Sequence, residues 1–146
     1  MGLFDFVKGI GKKVGLGREA DDIKEDIIEA LGGSVENLEV EFNDGTVTVR
    51  GVVDSQATRE KAVLLAGNVK SVESVNDQLT VSTPEPEAPA PVFYAVQSGD
   101  SLWKIASKHY GDGNKWPALF EANREVIKDP DLIYPGQQIR VPDLDG

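Results

Sequence analysis

The pattern of apolar and polar positions predicts six helices and strands in the first half of the chain. Apolar residues recur at helical spacing in three segments and alternate with polar residues in three others. The predicted order is helix, helix, strand, strand, helix, strand. The first helix is predicted from Leu3, Phe4, Phe6, Val7, Ile10 and Val14, and the second from Ile23, Ile27, Ile28 and Leu31.

Turn and cap residues set the expected ends of these elements. Asp21 or Asp22 is expected to cap the second helix, and "NDG" at 43–45 is typical of a tight hairpin. Ser55 is expected to cap the third helix, which ends at Gly67. Glycines weaken the first predicted helix and end it early; they stand at positions 9, 11, 15 and 17.

The last third of the chain has a shorter pattern. "FYAV" predicts a strand, and "SGDSLWKIASKHYG" predicts a capped helix that Gly111 ends. A second helix starts at Asn114, with Trp116 and Pro117 in its first turn, and "QIRVP" predicts a closing strand. The order is strand, helix, helix, strand.

A proline-rich stretch separates the two patterns. "STPEPEAPAP" at 82–91 holds four of the eight prolines and almost no large apolar residue, which is typical of an extended linker. The sequence therefore predicts an α+β protein of two domains. They span residues 1–82 and 92–146, with a linker at 83–91.

Composition narrows the function classes. The net charge of −10 argues against a nucleic-acid partner, and the lack of cysteine excludes disulfides and thiolate metal sites. His109 is the single histidine, and Glu39 and Glu41 have no nucleophile or base beside them, so we expect no enzyme. No apolar run reaches the roughly 18–20 residues of a membrane span, and the start lacks a signal peptide's features. The expected location is therefore the cytoplasm.

The C-terminal unit resembles a LysM domain. The matching residues are Tyr94, Val96, "GDSLWKIA" at 99–106, Asn123, "IYPGQ" at 133–137 and "IRVP" at 139–142. The resemblance implies a βααβ fold and a groove for N-acetylglucosamine-containing glycans such as peptidoglycan. The groove residues it implies are Gly99, Asp100, Ser101, Leu102, Trp103, Asn123, Ile133, Tyr134, Pro135 and Gly136.

The N-terminal unit is similar to a BON domain, through "VTVRGVV" with Gly51 and "VESVNDQLTV". The fold implied is helices packed on a three-stranded sheet. A start of "MGLFDFVK", one BON unit, a proline-rich linker and one LysM unit together resemble a family of small bacterial potassium-binding proteins. That resemblance implies a cytoplasmic protein that binds K⁺ and changes conformation.

A potassium site needs little reactive chemistry. K⁺ suits neutral carbonyl oxygens, and the last four carbonyls of a helix lack an intrahelical partner. The turn at Gly67 and the Gly-rich segment after Val7 both offer such carbonyls, and the two sets meet if the first segment packs on the turn. The family resemblance implies these backbone donors: Val7, Ile10, Lys12, Gly67, Val69 and Val72.

Two other hypotheses about the function remain open. One is a peptidoglycan-binding protein that uses the LysM groove, and the other is membrane or lipid association through the BON unit and its leading segment. In the first reading the LysM unit binds glycan. In the hypothesis of potassium binding, the LysM unit docks on the BON unit within one monomer.

Overall fold

The computed structural model describes residues 2–6, 9, 18–82 and 93–142, with the backbone alone for residues 2 and 3. The chain divides into two compact units, Met1–Ala88 and Pro89–Gly146. The predicted linker at 83–91 lies outside the described residues. The elements of the first unit are β1 (Gly2–Asp5), α1 (Glu19–Leu31), β2 (Val35–Asn43), β3 (Thr46–Val53), α2 (Gln56–Gly67) and β4 (Ser74–Val81).

The first unit is built on a four-stranded sheet in the order β1-β4-β3-β2. β2 and β3 form an antiparallel hairpin, and β3 runs parallel to β4 through the crossover helix α2. β1 is antiparallel to β4, with Gly2 opposite Asp77 and Asp5 opposite Ser74. The start of the chain therefore lies at an edge of the sheet, beside its last strand.

Two expectations about the start of the chain were wrong. Residues 2–5 form a strand where helical spacing predicted a helix, and the sheet has four strands where three were expected. Phe4 is half-buried, Asp5 is exposed and Phe6 is buried, which is the two-residue alternation of a strand. The following glycines disfavour a helix, and pairing with β4 satisfies the backbone instead.

Turn chemistry shapes the β2–β3 hairpin as predicted. Asp44 and Gly45 have φ values of 49° and 84°, the positive values that a tight hairpin turn requires. Near the start of β2, a bulge places Asn37, with φ 55°, opposite Gly51 on β3, whose φ is 147°. A Cβ on Gly51 would lie 2.9 Å from the main-chain oxygen of Glu36. Glycine is required at position 51 because the bulged strand approaches so closely.

Both helices of the first unit pack on one face of the sheet. α2 begins where Ser55 accepts a hydrogen bond from the Thr58 amide at 3.2 Å, as predicted. α1 begins at Glu19 without a side-chain cap, so the expected cap at Asp21 or Asp22 was wrong; those carboxylates lie in the first turn, where the helix dipole favours them. The buried layer includes Ile23, Ile27, Val47, Val49, Val63, Leu64, Val75 and Leu79.

A buried ion pair joins α2 to β4 inside this core. The Arg59 Nε donates to the Asp77 Oδ2 at 2.8 Å, and the Leu79 amide donates to Oδ1 at 3.0 Å. Asp77 is only 3% exposed. Both oxygens of this carboxylate have a donor, which is the condition for burying its charge.

The second unit has the predicted βααβ order. Its elements are β5 (Phe93–Ala95), α3 (Leu102–Tyr110), α4 (Trp116–Ala122) and β6 (Gln138–Arg140). Ser101 caps α3 by accepting from the Lys104 amide at 3.1 Å, and Gly111 ends it in the left-handed conformation. β5 and β6 are antiparallel, and the core lies between this pair and the helices.

Candidate functional site

The turn that follows α2 has a buried apolar side and an exposed side on which Lys70 and Glu73 lie. α2 ends at Gly67, and residues 68–73 lead into β4. Val69 and Val72 are fully buried, and the Val72 amide donates to the Val69 carbonyl at 3.0 Å. This compact turn collects main-chain carbonyls at the negative end of the α2 dipole, and no basic residue lies in the last turn of the helix to neutralise it.

Phe6 and Gly9, near the start of the chain, are hydrogen-bonded to this turn. The Phe6 amide donates to the Glu73 carbonyl at 2.7 Å, and the Gly9 amide donates to the Lys70 carbonyl at 2.8 Å. These two bonds hold both ends of the stretch 6–9 against the turn. The main chain of the first segment and the turn after α2 are therefore neighbours.

The contact between the two segments is close because position 67 has no side chain. Gly67 is buried, and the Phe6 ring lies where a Cβ on residue 67 would be. Phe6 itself is 8% exposed. Gly67 is the last residue of α2, and its lack of a side chain makes room for the aromatic ring.

Three of the six predicted ion donors come together here. Gly67 is the last residue of α2, and Val69 and Val72 are the buried residues of the turn that follows. Among the described residues, no backbone amide outside the helices and strands donates to the carbonyl oxygen of Gly67 or Val72. The Val69 oxygen has a second lone pair beyond its bond to the Val72 amide. The other predicted donors, Val7, Ile10 and Lys12, lie outside the described residues.

This donor set fits potassium by its chemistry. The site offers neutral main-chain oxygens, which K⁺ accepts in place of its hydration shell. Among the described residues there is no group of three or more histidine, cysteine or acidic side chains that could hold a metal ion.

The second unit has a polar cluster at the start of its fold. The Tyr94 hydroxyl donates to the Asp100 Oδ2 at 2.6 Å, and the Gln97 amide donates to the same oxygen at 2.8 Å. The bond from Tyr94 lowers the pKa of Asp100 and raises the pKa of Tyr94. The Lys108 ammonium lies 5.3 Å from the Tyr94 ring centre. The cluster ties the loop that starts at Gly99 to β5.

The predicted glycan residues divide into exposed and buried groups. Trp103 is 52% exposed, and its indole lies against the backbone of Gly113. Gly99 and Pro135 are exposed, whereas Asp100, Ser101, Ile133, Tyr134 and Gly136 are partly buried.

Two residues of the glycan set are core residues. Leu102 is 3% exposed, and Asn123 is fully buried. Asn123 Nδ2 donates to the carbonyls of Leu119 at 2.9 Å and Arg140 at 2.8 Å, and its Oδ1 accepts from the Arg140 amide at 2.8 Å. The Asn123 side chain therefore joins the end of α4 to β6, and its burial keeps it out of reach of a sugar.

Sequence reasoning did not single out three features of these units. They are the Phe6 ring on Gly67, the Arg59–Asp77 pair and the Tyr94–Asp100 bond. The alternation of Phe4, Asp5 and Phe6 was the available signal for the first. The others join positions 18 and 6 residues apart, and no local pattern marks them.

Comparison with known proteins defines the class. The BON domain family matches residues 19–83, and the LysM domain family matches residues 94–142. The chain is thus a two-domain protein with a BON domain followed by a LysM domain. In the part of the chain that the structure describes, no helix has the length and apolar character needed to cross a membrane.

Full-length similarity gives the family. "Potassium binding protein Kbp" of Escherichia coli O6:H1 is 38% identical to this chain over 151 aligned residues, which cover 98% of this chain and 99% of that protein. The chain belongs to the family of this protein. An uncharacterized protein of Deinococcus radiodurans is 31% identical over 80% of the chain, which spans half of that longer protein. Resuscitation-promoting factor Rpf of Micrococcus luteus is 45% identical over 47 residues, 32% of this chain and 21% of Rpf.

Proposed function

We propose that this protein binds potassium through main-chain carbonyls of its BON domain. The observation that carries the proposal is the pair of hydrogen bonds from Phe6 and Gly9 to the turn after α2. They hold Phe6 and Gly9 against the turn that contains two of the proposed donors, Val69 and Val72. The remaining donors in this proposal are the carbonyls of Val7, Ile10 and Lys12. The name of the Escherichia coli relative supports the choice of ion.

The ion would link two segments that are distant in sequence. A ligand that binds the docked state in preference to the undocked state shifts the population toward the docked state. It also stabilises that state by mass action, by about 2.7 kcal/mol at a hundredfold excess over Kd. We therefore infer a conformational change on binding, and a cytoplasmic, non-enzymatic monomer that acts as an ion sensor.

Calorimetry and NMR test this proposal together. The full chain is titrated with KCl and with NaCl at matched ionic strength, and ¹⁵N amide shifts are recorded alongside. We expect heat with KCl alone and amide shifts concentrated at residues 67–73, 6 and 9. Residues 102–110 of α3 are the internal control. Equal responses to both salts, or shifts no larger at the turn than in α3, would refute the proposal.

A second candidate function is glycan binding by the LysM domain. The observation that favours it is Trp103, which is half exposed and held against the backbone of Gly113. Aromatic rings of this kind stack on sugar faces. Titration with N-acetylglucosamine oligomers should then change tryptophan fluorescence, and Trp103→Ala should abolish the change. Retention on peptidoglycan without any response to potassium would favour this function over the first.

A further inference from the structure

β2 is an edge strand of the BON sheet, because β3 lies on one side of it and no described strand lies on the other. Its regular part is residues 39–43, which follow the bulge and pair one-to-one with β3. In an antiparallel pair, alternate residues of an edge strand direct their N–H and C=O groups away from the partner strand. Within the described part of the chain, no backbone hydrogen bond joins residues 39–43 to a residue outside the β2–β3 hairpin. The outer edge can therefore pair with a further strand.

The two faces of this stretch differ in their chemistry. Val40 and Phe42 are half-buried and pair with buried residues of β3, so they lie on the face that the helices cover. Glu39 and Glu41 alternate with them and are exposed on the other face. An open groove of about 730 Å³ lies beside the strand, and its lining residues are Ala20 of α1, residues 40–43 of β2, and Thr46 and Thr48 of β3. The edge thus offers apolar contacts on one face and acidic side chains on the other.

We propose that the outer edge of β2 binds an extended segment of a partner protein in which apolar residues alternate with lysine or arginine. The main chain of that segment continues the sheet beyond residues 39–43. Its apolar side chains contact Val40 and Phe42, and its cations lie beside Glu39 and Glu41. Recognition of this kind takes its affinity from main-chain hydrogen bonds and its specificity from alternate side chains. This inference goes beyond the proposed function and does not depend on potassium.

Charge favours such a partner over a second copy of this chain. Pairing two copies of β2 brings Glu39 and Glu41 close to the same residues of the other copy, and like charges opposite each other destabilise a sheet. Each copy also carries a net charge of −10, which repels the other. Arg50 pairs with Glu41, whereas Glu39 has no ion pair with another described residue. A basic segment therefore meets an acidic group that the described residues do not neutralise.

Three synthetic peptides of equal charge test the edge, each titrated into the ¹⁵N-labelled full chain. The first alternates valine with lysine over eight residues. The second is the same peptide N-methylated at its two central residues, which blocks both of its edges. The third has its valines and lysines in separate blocks. We expect the first to shift the amides of residues 39–43 and to slow their hydrogen exchange, with residues 102–110 of α3 as the internal control.

The other two peptides should bind more weakly. The N-methylated peptide should lose affinity about tenfold, because it loses main-chain hydrogen bonds. The block peptide should lose affinity because its side chains no longer match the two faces of the edge. Equal affinity of the N-methylated peptide, or shifts no larger at residues 39–43 than in α3, would overturn the proposal.

A pair of charge variants tests the acidic face. Glu39→Gln/Glu41→Gln should weaken binding of the alternating peptide about two- to tenfold, because it removes two exposed charge pairs. Glu25→Gln/Glu29→Gln is the matched control, since it removes the same charge from exposed positions of α1 and should change the affinity far less. Equal losses from the two variants would show that net charge alone attracts the peptide, and they would overturn the proposal.

Hydrogen exchange of the free chain tests whether the edge is open. We expect alternate amides among residues 39–43 to exchange faster than those of residues 47–53, which have a strand on each side. Protection of every amide from 39 to 43 at all protein concentrations would show that another part of the chain already covers the edge. Protection that grows with concentration would show pairing between copies. Either result overturns this proposal and leaves the proposed potassium binding untouched.

Discussion

Replacing Arg59 with methionine should destabilise the BON domain far more than replacing an exposed arginine. Arg59 donates to Asp77, a carboxylate only 3% exposed. Without the guanidinium, the charge remains in the core with the Leu79 amide as its donor. Removing one partner of a buried pair costs about 3–5 kcal/mol. Because the Arg59 side chain keeps 22% of its surface exposed, we take the lower value, about 3 kcal/mol.

The expected shift is large enough to measure by circular dichroism. For a domain of this size, each kcal/mol moves the thermal midpoint by about 4–8 °C, so Arg59→Met should lower it by about 12–24 °C. Both tryptophans, Trp103 and Trp116, lie in the second unit, so their fluorescence monitors that unit in the same sample. Adding Asp77→Asn should recover much of the loss, because the amide oxygen still accepts from Leu79 without a charge.

Arg50→Met is the control for this experiment. Arg50 donates to Glu41 at 2.8 Å and to Gln78 at 2.9 Å, but 41% of the Arg50 side chain and 64% of the Glu41 side chain are exposed, so their ion pair contributes at most about 1 kcal/mol. If Arg59→Met shifts the midpoint no more than Arg50→Met, the pair is not a determinant of stability. If Asp77→Asn brings no recovery, the uncompensated charge is not the cause of the loss.

Three further changes test particular contacts. Gly51→Ala should lower the free energy of unfolding in urea by about 1–3 kcal/mol, because φ at this position is 147° and the bulged strand lies close. Gly33→Ala is the control: a Cβ there meets open space, so its effect should be small, and equal losses for the two variants would contradict the prediction. Asn123→Ala should cost about 3 kcal/mol, because it removes one buried and two partly buried hydrogen bonds to main-chain groups. A loss below about 1 kcal/mol would contradict this. Tyr94→Phe should lower the stability above about pH 4, because the bond from Tyr94 lowers the pKa of Asp100 in the folded state. The difference in stability from the wild type should vanish as the pH falls through that lowered pKa, and a difference independent of pH would refute the prediction.

Local chemistry explains why much of the fold was predictable. Ser55 and Ser101 cap their helices as expected, because a cap depends on a side chain and an amide only three residues away. Gly111 ends α3 for a similarly local reason. Elements whose signals lie within one turn of the chain are therefore visible in the sequence.

The errors arose where a distant partner decides the structure. Residues 2–5 carry both a helical and an alternating pattern, and the free edge of β4 selects the strand. The bulge at Asn37 is invisible without the hairpin partner that contains Gly51. For the site, a glycine at the end of a helix identified the turn at 67, but the ring of Phe6 that covers it comes from a segment far away in the sequence.

The pairing of the first strand with the last has a consequence for biosynthesis. A ribosome releases β1 first, and its partner on β4 follows only about 70 residues later. At a synthesis rate of about 5–20 residues per second, roughly 4–14 s pass between the synthesis of Phe4 and Phe6 and that of their partner strand β4. During that interval this short apolar segment has no strand to pair with, and it is available to chaperones until β4 has been made.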